Sequence, residues 1–471
     1  MRIRDCCVYT CCVAAWLGST APGVFAEESP SSAADVNTSW KFGVARSNIT
    51  PAEPMLMSGY ASRETPARGK LTELWAKAVV MQDAAGQRGV LITADLIGIG
   101  PNSTQRIRAA LKERHGVPAE SVMICCSHTH TGPAVAETLA PMNFFYATPA
   151  QRKAIDAYTR LLESKIVAIV DEAIRGLEPG TLSWGNGNVT FATNRRENAE
   201  RDVLGARARH ELLGPFDHDV PILAIHDLQK KLRVVVFGYA CHATVLDSFE
   251  WSGDYPGYAQ QEIERLHADC TAMFWAGCGA DQNPLPRRSV KLAQHYGRRL
   301  AAGVEEVLLT HAMEPVTSSL TCEHATLDLA YASLPTREDL LRDMQSRNKF
   351  EVARASMLKT ALETEGALPA SYPYPIARWQ MGDVEWLFMG GEVVVDYALR
   401  LKDHGRGAKT WVAAYANDVM AYIPSERVLR EGRYEGGGAM VYYGLPSPWA
   451  AGLEDQIIQT VESFRQRAAS R

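Results

Sequence analysis

Apolar and polar positions along this chain follow two periods, which predict strands and helices in turn. Short apolar runs such as Val122–Cys126 and residues 273–276 are typical of buried strands. Residues 149–175 instead place Ile155, Leu162 and other apolar side chains at helical spacing. Because strands and helices alternate without a clear linker, we predict an α/β fold. It has a central β-sheet core flanked by helices, with the functional site at strand ends.

The remaining patterns place the other elements of the sheet and its helices. Strands are predicted over residues 40–47, 74–82, 89–95, 182–191, 220–227, 232–241, 319–331, 376–381, 384–389 and 410–416. Helices are predicted over residues 103–114, 258–267, 286–309, 336–365, 393–402 and 449–465. No serine elbow, phosphate-binding loop or dinucleotide fingerprint stands out, which argues against those three classes of enzyme.

The composition is that of an ordinary globular protein. The 471 residues carry a formal net charge of -5, with 46% hydrophobic and 22% charged residues. No long basic cluster occurs, so nucleic acid is not an expected partner. Of the ten cysteines, six lie beyond residue 26. Without a CxxC zinc pattern, we expect most of these to be small buried hydrophobic residues.

The first 26 residues have the three parts of a secretory signal peptide. Two arginines give a positive start, residues 6–17 are mostly apolar, and residues 24–26 resemble a cleavage site. Residues 27–39 are predicted to be a flexible leader and residues 40–471 a single catalytic domain. We therefore expect a secreted or periplasmic protein. No transmembrane segment is expected, because no later apolar stretch approaches about 18 residues.

Two histidines follow the buried strand Val122–Cys126. His128 and His130 are two residues apart in an extended segment that a Gly-Pro pair ends, so both side chains can reach the same cleft. Imidazole binds zinc and transfers protons near neutral pH, although hydrogen-bonded surface histidines show the same pattern. His242 repeats the arrangement, since it also follows a predicted buried strand.

Three further features have both a structural and a functional interpretation. Arg195 follows a predicted strand, where it is either solvated or binds an acidic or carbonyl group of a substrate. Glu392 precedes a predicted helix, where the helix dipole alone would favour a carboxylate. Residues 279–284 form either a plain turn or a loop whose backbone lies close to a ligand.

Taken together, these segments resemble the neutral/alkaline ceramidase family. The strongest is Ser-His-Thr-His-Thr-Gly-Pro at residues 127–133, which is similar to the family's S/T-H-T-H-S-G-P signature. Residues 252–259 resemble the loop after the family's second zinc histidine, and residues 422–425 and 433–435 resemble its tyrosine segments. Their shared order and spacing implies a zinc hydrolase that cleaves an N-acyl amide bond.

The resemblance also implies the residues of the site. One zinc ion would be held by four residues that match the family's ligands: His128, His242, Glu392 and Tyr422. Two imidazoles and a carboxylate are a usual catalytic zinc set, whereas a phenol is an unusual ligand. Three other residues would line the site: His130, Arg195 and Tyr434. The histidine would polarise the substrate carbonyl or move protons, and the other two would hold polar groups of the substrate.

The chain departs from the family in the loop 279–284. Ceramidases have a serine there that is assigned as the nucleophile, and matching Asp281 to the family's aspartate places Asn283 at that position. The chain also stops soon after its tyrosine segments, so we expect a branch without the C-terminal immunoglobulin-like domain of full ceramidases. We predict a zinc-activated water as the nucleophile, with Asp281 or His130 accepting its proton.

Three functions remain open at this point. The first is an exported zinc amidohydrolase that acts on ceramide or another N-acylated small molecule, with peripheral membrane contact if that substrate is a lipid. The second is a zinc hydrolase of an ester or of a modified carbohydrate amide, because the same ligands do not determine the leaving group. The third is a non-catalytic binding protein that kept the fold, although the presence of all four ligand types argues against it.

Overall fold

Two β-sheets stacked face to face occupy the middle of the structure, and helices cover their outer faces. The structure is a computed structural model that describes residues 40–310, 313–316, 319–403 and 407–469. These residues fall within one compact unit. The predicted signal peptide (1–26) and leader (27–39) lie outside the described residues. The predicted α/β class, with a central sheet flanked by helices, is confirmed.

The elements are numbered in chain order. The strands are β1 (Trp40–Asn48), β2 (Gly69–Lys70), β3 (Trp75–Gln82), β4 (Arg88–Ala94), β5 (Val122–Cys126), β6 (Glu178–Asn188), β7 (Ala192–Asn194), β8 (Asp219–Asp227), β9 (Leu232–Tyr239), β10 (Glu250–Trp251), β11 (Thr271–Ala276), β12 (Gln282–Pro284), β13 (Glu314–Pro315), β14 (Leu320–Ala330), β15 (Ser371–Met381), β16 (Val384–Met389), β17 (Glu392–Val393), β18 (Thr410–Ala413) and β19 (Tyr422–Ile423). The helices are α1 (Pro101–His115), α2 (Ala140–Asn143), α3 (Pro149–Arg175), α4 (Val203–Ala208), α5 (Asp254–Leu266), α6 (Val290–Leu309), α7 (Arg337–Asp343), α8 (Lys349–Glu365), α9 (Val395–Asp403), α10 (Glu426–Glu431), α11 (Met440–Tyr443) and α12 (Leu453–Ala469).

The larger sheet is mixed. Its strand order is β11-β9-β8-β6-β1-β3-β4-β5, with β13 beside β6. The middle strands pair antiparallel. At the two ends, β11 pairs with β9 and β5 pairs with β4 in parallel. Parallel pairs bring the carboxyl ends of neighbouring strands to one edge, where loops can build a site.

Tryptophans fill the space between the larger sheet and the smaller sheet, whose strand order is β14-β15-β16-β18. Successive side chains of a strand point to opposite faces, so Trp386 and Phe388 lie between the sheets while Leu387 packs outward. The ring of Trp386 lies 5.5 Å from that of Trp275 on the larger sheet. The buried apolar area between the sheets therefore fixes how they stack.

Helices complete the outer layers. Helices α3, α5 and α6 pack on the larger sheet, α1 packs on α3, and α9 and α12 pack on the smaller sheet. Thr148 forms a capping box with Gln151, so α3 begins at Pro149 as the sequence predicts. Among the described residues, we find no helix whose length and apolar content would let it cross a bilayer.

The last residue of β18 and the three residues after it, 413–416, connect the two ends of the larger sheet. The amide of Ala414 donates to Ala276 at the end of β11, at 2.9 Å. The amide of Cys126 at the end of β5 donates to Tyr415, at 3.2 Å. The edge strands β5 and β11 therefore lie on either side of this segment, although they are far apart in strand order.

Several predicted boundaries are wrong. The single helix predicted over 336–365 is two helices, α7 and α8, because the side chain of Asn348 caps a new helix by accepting from Phe350. The helix predicted from residue 286 begins only at Val290, where Ser289 is the cap. Glu392 does not start a helix, since it belongs to β17 and α9 begins at Val395.

The cysteines behave as small hydrophobic residues. The six that lie between residues 125 and 322 are free, and all except the half-buried Cys322 are buried. Burial raises the pKa of the Cys278 thiol well above its usual range. This cysteine is therefore protonated at neutral pH and is a poor nucleophile.

Candidate functional site

Backbone carbonyls orient the histidine after β5 and the histidine after β9. The Nδ1 atom of His128 lies 2.6 Å from the carbonyl oxygen of Ile97. The Nδ1 atom of His242 lies 2.7 Å from the carbonyl oxygen of Gly279. A carbonyl oxygen can only accept, so each Nδ1 carries the proton and each neutral ring presents the lone pair of Nε2. Metal-binding histidines are held in this way by a second group.

The backbone at the site is strained. His128 has φ 58° and Tyr415 has φ 55°, in the left-handed region that side chains with a Cβ rarely adopt. Such residues cost roughly 1–3 kcal/mol each and persist where the surroundings hold them. The two rings pack against each other with centroids 4.3 Å apart, so Tyr415 supports the imidazole of His128.

Glu392 and Tyr422 lie side by side because β17 and β19 pair in parallel with these two residues in register. The Oε2 atom of Glu392 lies 3.2 Å from His128 Nε2 and 3.1 Å from His242 Nε2. The hydroxyl of Tyr422 lies 3.5 Å from His242 Nε2. The structure thus brings together the four residues that the sequence proposes as metal ligands.

The donor atoms fit a divalent metal ion. Glu392 is only 3% exposed, and its Oε2 has no hydrogen-bond donor among the described residues. It faces the lone pairs of His128 and His242, which is a repulsive arrangement that a cation would relieve. Two imidazole nitrogens and a carboxylate oxygen are the ligands of many catalytic zinc sites.

The charge states at pH 7 are consistent with this fit. Burial and, to a smaller extent, the nearby guanidinium of Arg195 lower the pKa of His242 to about 4. Burial alone would raise the pKa of Glu392, and positive charge at His128 and His242, from a proton or from a bound cation, lowers it well below its usual range. A neutral imidazole beside an ionised carboxylate is the form in which both bind a metal.

His130 is the third histidine of the cluster. Its Nε2 lies 3.2 Å from that of His128, and ligand nitrogens of the three histidines all lie within 4.8 Å of one another. Gly59 leaves room for it, because a Cβ there would lie 2.5 Å from its Nδ1. That Nδ1 is buried without a partner in the described part of the chain. Burial lowers the pKa of His130 well below its usual range, with His128 and His242 adding to the effect.

Arg195 donates hydrogen bonds to three residues at or around the cluster. Its guanidinium donates to Tyr422 at 3.0 Å, to Glu435 at 2.8 Å and to Asn283 at 3.3 Å. It also lies over the ring of Tyr434, at 5.9 Å from the ring centre. The predicted Arg195 and Tyr434 are therefore next to the cluster, and the arginine holds the phenol of Tyr422 in place.

Asp281 lies behind the cluster. Its carboxylate accepts from the backbone amide of Val395 at 2.9 Å and from the side chain of Asn194 at 3.0 Å. Among the described residues, no hydrogen bond joins this carboxylate to the histidines. Burial raises the pKa of Asp281 to about 6, although the Val395 amide opposes the shift. These contacts fix the loop 279–284 to the start of α9.

The cluster opens into a cavity of about 170 Å³. Its lining includes the polar side chains of His128, His130, Glu392, Tyr434 and Tyr442. Tyr434 is 45% exposed, which places it at the mouth. A substrate can therefore reach His128, His130 and Glu392 from solvent.

Sequence reasoning missed two residues of the site. The hydroxyl of Tyr443 donates to Oε1 of Glu392, and the ring of Tyr415 packs on His128. Tyr443 follows a glycine-rich loop, which is a weak signal. Tyr415 lies in a predicted strand and carried no signal, because only the tertiary fold brings residues 413–416 between β5 and β11.

Comparison with known families matches the first half of the described chain. The family model of the neutral/alkaline non-lysosomal ceramidase N-terminal domain matches residues 40–283. This range contains His128, His130, Arg195 and His242, whereas Glu392 lies beyond it.

Individual relatives extend the similarity. A neutral ceramidase of Pseudomonas aeruginosa is 28% identical over 507 residues, which cover 91% of this chain and 72% of the relative. A neutral ceramidase of Drosophila melanogaster is 26% identical over 240 residues, covering 49% of this chain and 33% of the relative.

Solved structures show the same fold. A neutral ceramidase from Pseudomonas aeruginosa matches with a TM-score of 0.69 at 21% identity, covering 91% of this chain and 75% of that chain. A ceramidase complexed with C2 gives the same TM-score and identity, and 76% of that chain is covered.

Proposed function

The chain belongs to the neutral/alkaline non-lysosomal ceramidase family, and from this premise we propose that it is a zinc-dependent hydrolase of an N-acyl amide bond. Family membership supports an amide hydrolase. The finer statement, that zinc is the metal and an N-acylated small molecule the substrate, rests on the site.

One observation carries the proposal. The Nε2 lone pairs of His128 and His242 point at an ionised, unpartnered oxygen of Glu392, at 3.2 and 3.1 Å. A buried group of this kind is costly unless a cation lies among the three atoms. Tyr422, in register with Glu392, would add a fourth ligand. When bound there, zinc would polarise the substrate carbonyl and lower the pKa of a water ligand.

The chain's own residues supply the proton transfer. We assign the proton of the attacking water to His130, because burial keeps its ring neutral at pH 7 and its Nε2 lies at the cluster, 3.2 Å from that of His128. The same histidine can return the proton to the leaving amine. Arg195 holds Tyr422, and Tyr434 at the mouth binds a polar group of the substrate.

Water is the nucleophile in this proposal. The amide of Asn283 cannot act as one, and the Cys278 thiol is protonated at neutral pH. Both carboxylate oxygens of Asp281 accept hydrogen bonds from within the protein. We therefore give Asp281 the role of positioning the loop and His130 the role of general base.

Metal analysis and a substrate screen test the proposal together. Purified protein should contain about one zinc ion per chain by mass spectrometry, and a panel of N-acyl amides and esters should show cleavage of amides. Cleavage of esters alone would favour the alternative ester hydrolase. A zinc-free protein that binds acyl amides without cleaving them would make it a binding protein.

We also propose export after cleavage near Glu27. The support is the pattern of residues 1–26, which begins with positive charge and continues with an apolar run. N-terminal sequencing of the protein from its native host checks this. An intact Met1 on the exported protein would contradict it.

A further inference from the structure

The cavity at the histidine cluster is small for a lipid amide. Its volume is about 170 Å³. An apolar cavity of about 150 Å³ holds benzene, so this one accommodates about six non-hydrogen atoms. The carbon, oxygen and nitrogen of an amide use half of that space. The remainder fits a short acyl group and excludes a long acyl chain.

The lining of the cavity includes both apolar and polar side chains. Ile97 and Leu139 are 2% and 7% exposed, and both line it. Met142 adds a third apolar side chain. At the mouth, the hydroxyls of Tyr434 and Tyr442 have no hydrogen-bond partner among the described residues, and their rings lie 6.1 Å apart. The apolar side chains suit the acyl group, and the hydroxyls of the two tyrosines suit a hydroxylated amine.

One wall of the cavity is held by the loop that contains Tyr60. The guanidinium of Arg63 lies 4.6 Å over the Tyr60 ring and donates to the carbonyl oxygen of Ser58. The side chain of Asn143 on α2 donates to the Ser58 hydroxyl at 2.7 Å. The Tyr60 hydroxyl in turn donates to the Leu246 carbonyl oxygen, at 3.0 Å. This wall is therefore tied to two other segments of the chain.

A second wall of the cavity, which contains Tyr442, is supported by α8. Helix α11, which carries Tyr442, packs against both α2 and α8. The ring of Phe350 on α8 lies 5.1 Å from that of Tyr442. Tyr146 donates to the carbonyl oxygen of Lys349, at 2.5 Å. Widening the cavity would require these contacts to break together, because packed interiors transmit such changes.

We infer that the substrate is a short-acyl amide of a hydroxylated amine, such as an N-acetylated amino sugar, with the acyl group against Leu139 and Met142 and the amine at the mouth. This inference rests on the proposed amide hydrolysis and narrows its substrate. The amide C–N bond breaks, the acyl carbon takes the water oxygen as a carboxylate, and the amine leaves with the transferred proton.

A series of substrates that differ only in acyl length tests the inference. Zinc-loaded enzyme is given N-acetyl-, N-butanoyl-, N-hexanoyl- and N-octanoylglucosamine, with long-chain N-acylsphingosine as comparator, and free amine is measured by mass spectrometry. We expect kcat/KM to be highest for acetyl and to fall at least about tenfold by hexanoyl, since one unaccommodated methylene costs about 10- to 200-fold. Rates that rise with chain length would overturn the inference while leaving the proposed function intact.

Variants of the apolar wall formed by Leu139 and Met142 sharpen the result. Met142→Ala should raise the hexanoyl-to-acetyl ratio of kcat/KM about tenfold, and Leu139→Ala is a second variant in case the first does not fold. Leu341→Ala is the matched control, because Leu341 is on α7, is 44% exposed and does not line the cavity. An unchanged ratio in both folded wall variants would contradict the assignment of the acyl group to this wall.

Binding of the product carboxylates separates this inference from the proposed function. Acetate, butyrate, hexanoate and octanoate are titrated into zinc-loaded enzyme by calorimetry. Tighter binding of the two short acids supports the inference even if no amide is cleaved, an outcome that would contradict only the proposed function. Tighter binding of octanoate would overturn the inference.

Discussion

Two buried glutamates on strands that are consecutive in the chain differ in how their charges are satisfied. Glu385 on β16 accepts from Arg378 at 2.7 Å and from Arg465 at 2.6 Å, so both its oxygens are paired with guanidinium groups. Glu392 on β17 receives one hydrogen bond, from Tyr443 to Oε1. Its Oε2 faces two imidazole nitrogens and has no donor among the described residues.

The difference distinguishes a carboxylate that is paired within the protein, Glu385, from one with an oxygen that is available to a ligand, Glu392. Guanidinium groups of the protein itself lower the pKa of Glu385 against the effect of burial, whereas the lowering of the pKa of Glu392 requires positive charge at the histidine cluster. Glu385 needs nothing from outside the protein. Oε2 of Glu392 has no hydrogen-bond partner among the described residues, and in our proposal a cation supplies the missing positive charge.

The largest expected effect is a difference in bound zinc between variants of the two glutamates. Glu392→Gln is expected to lose nearly all bound zinc and all measurable hydrolysis, because an amide is a much weaker zinc ligand than a carboxylate. Glu385→Gln should keep about one zinc ion per folded chain. Zinc content is measured by mass spectrometry on protein whose fold is checked by circular dichroism. Equal zinc content in the two variants would remove the distinction.

The next largest effect should come from His130. Loss of a general base costs about 10²- to 10⁴-fold in rate, so His130→Ala should lower kcat by this amount and keep the metal. Asp281→Asn is the comparison, and it should cost less in kcat if that carboxylate only positions the loop. A larger loss of kcat in Asp281→Asn, with zinc retained and the fold intact, would transfer the role of base to Asp281.

For the free energy of unfolding, we expect the larger loss from replacing Glu385 and the smaller from replacing Glu392. Glu385→Gln leaves Arg378 and Arg465 less well compensated, so we expect a loss of about 3 kcal/mol in the free energy of unfolding. Glu392→Gln removes an unpaired buried charge, so the metal-free protein should be no less stable than wild type. Urea unfolding of metal-free samples provides both values. A loss in Glu392→Gln equal to that in Glu385→Gln would show that both charges are structural.

A smaller effect is expected at Tyr443. Its hydroxyl donates to Oε1 of Glu392 and so orients the carboxylate. Removal of a group that positions a metal ligand typically lowers metal affinity about 10- to 100-fold, and we expect Tyr443→Phe to fall in this range. Competition with a zinc chelator measures the affinity, and Tyr442→Phe serves as a control that keeps the ring. Affinities that match in the two variants would exclude the orienting role.

The smallest expected effect is on the stability of the protein at low pH. The pKa of Glu385 is lower in the folded chain than in the unfolded chain, so its contribution to stability is present above its unfolded pKa and is lost as pH falls through the folded pKa. Unfolding free energies of wild type should therefore decrease as pH falls below about 4.5, with a shallower decrease in Glu385→Gln. Parallel curves would show that other carboxylates cause the acid sensitivity.

Much of the fold could be predicted from local pattern. The strand Val122–Cys126 and the helix Pro149–Arg175 have the bounds that periodicity indicates. The long predicted helix 336–365 was wrong, because Asn348 offers a cap that competes with continued helix. Which face of a strand is buried follows from alternation. Alternation does not reveal that two sheets stack, because both faces of β16 are buried and one of them carries Glu385.

The sequence by itself determined which side chains this site can use. His128, His130 and His242 follow buried strands, and their types and spacing already indicate metal or proton chemistry. The resemblance added Glu392 and Tyr422, which lie far along the chain. Only the tertiary structure decided that these residues meet. Strand pairing sets Glu392 beside Tyr422, and the carbonyls of other segments set the histidine tautomers. Such long-range hydrogen bonds and packing depend on the whole fold, so no local pattern in the sequence contains them.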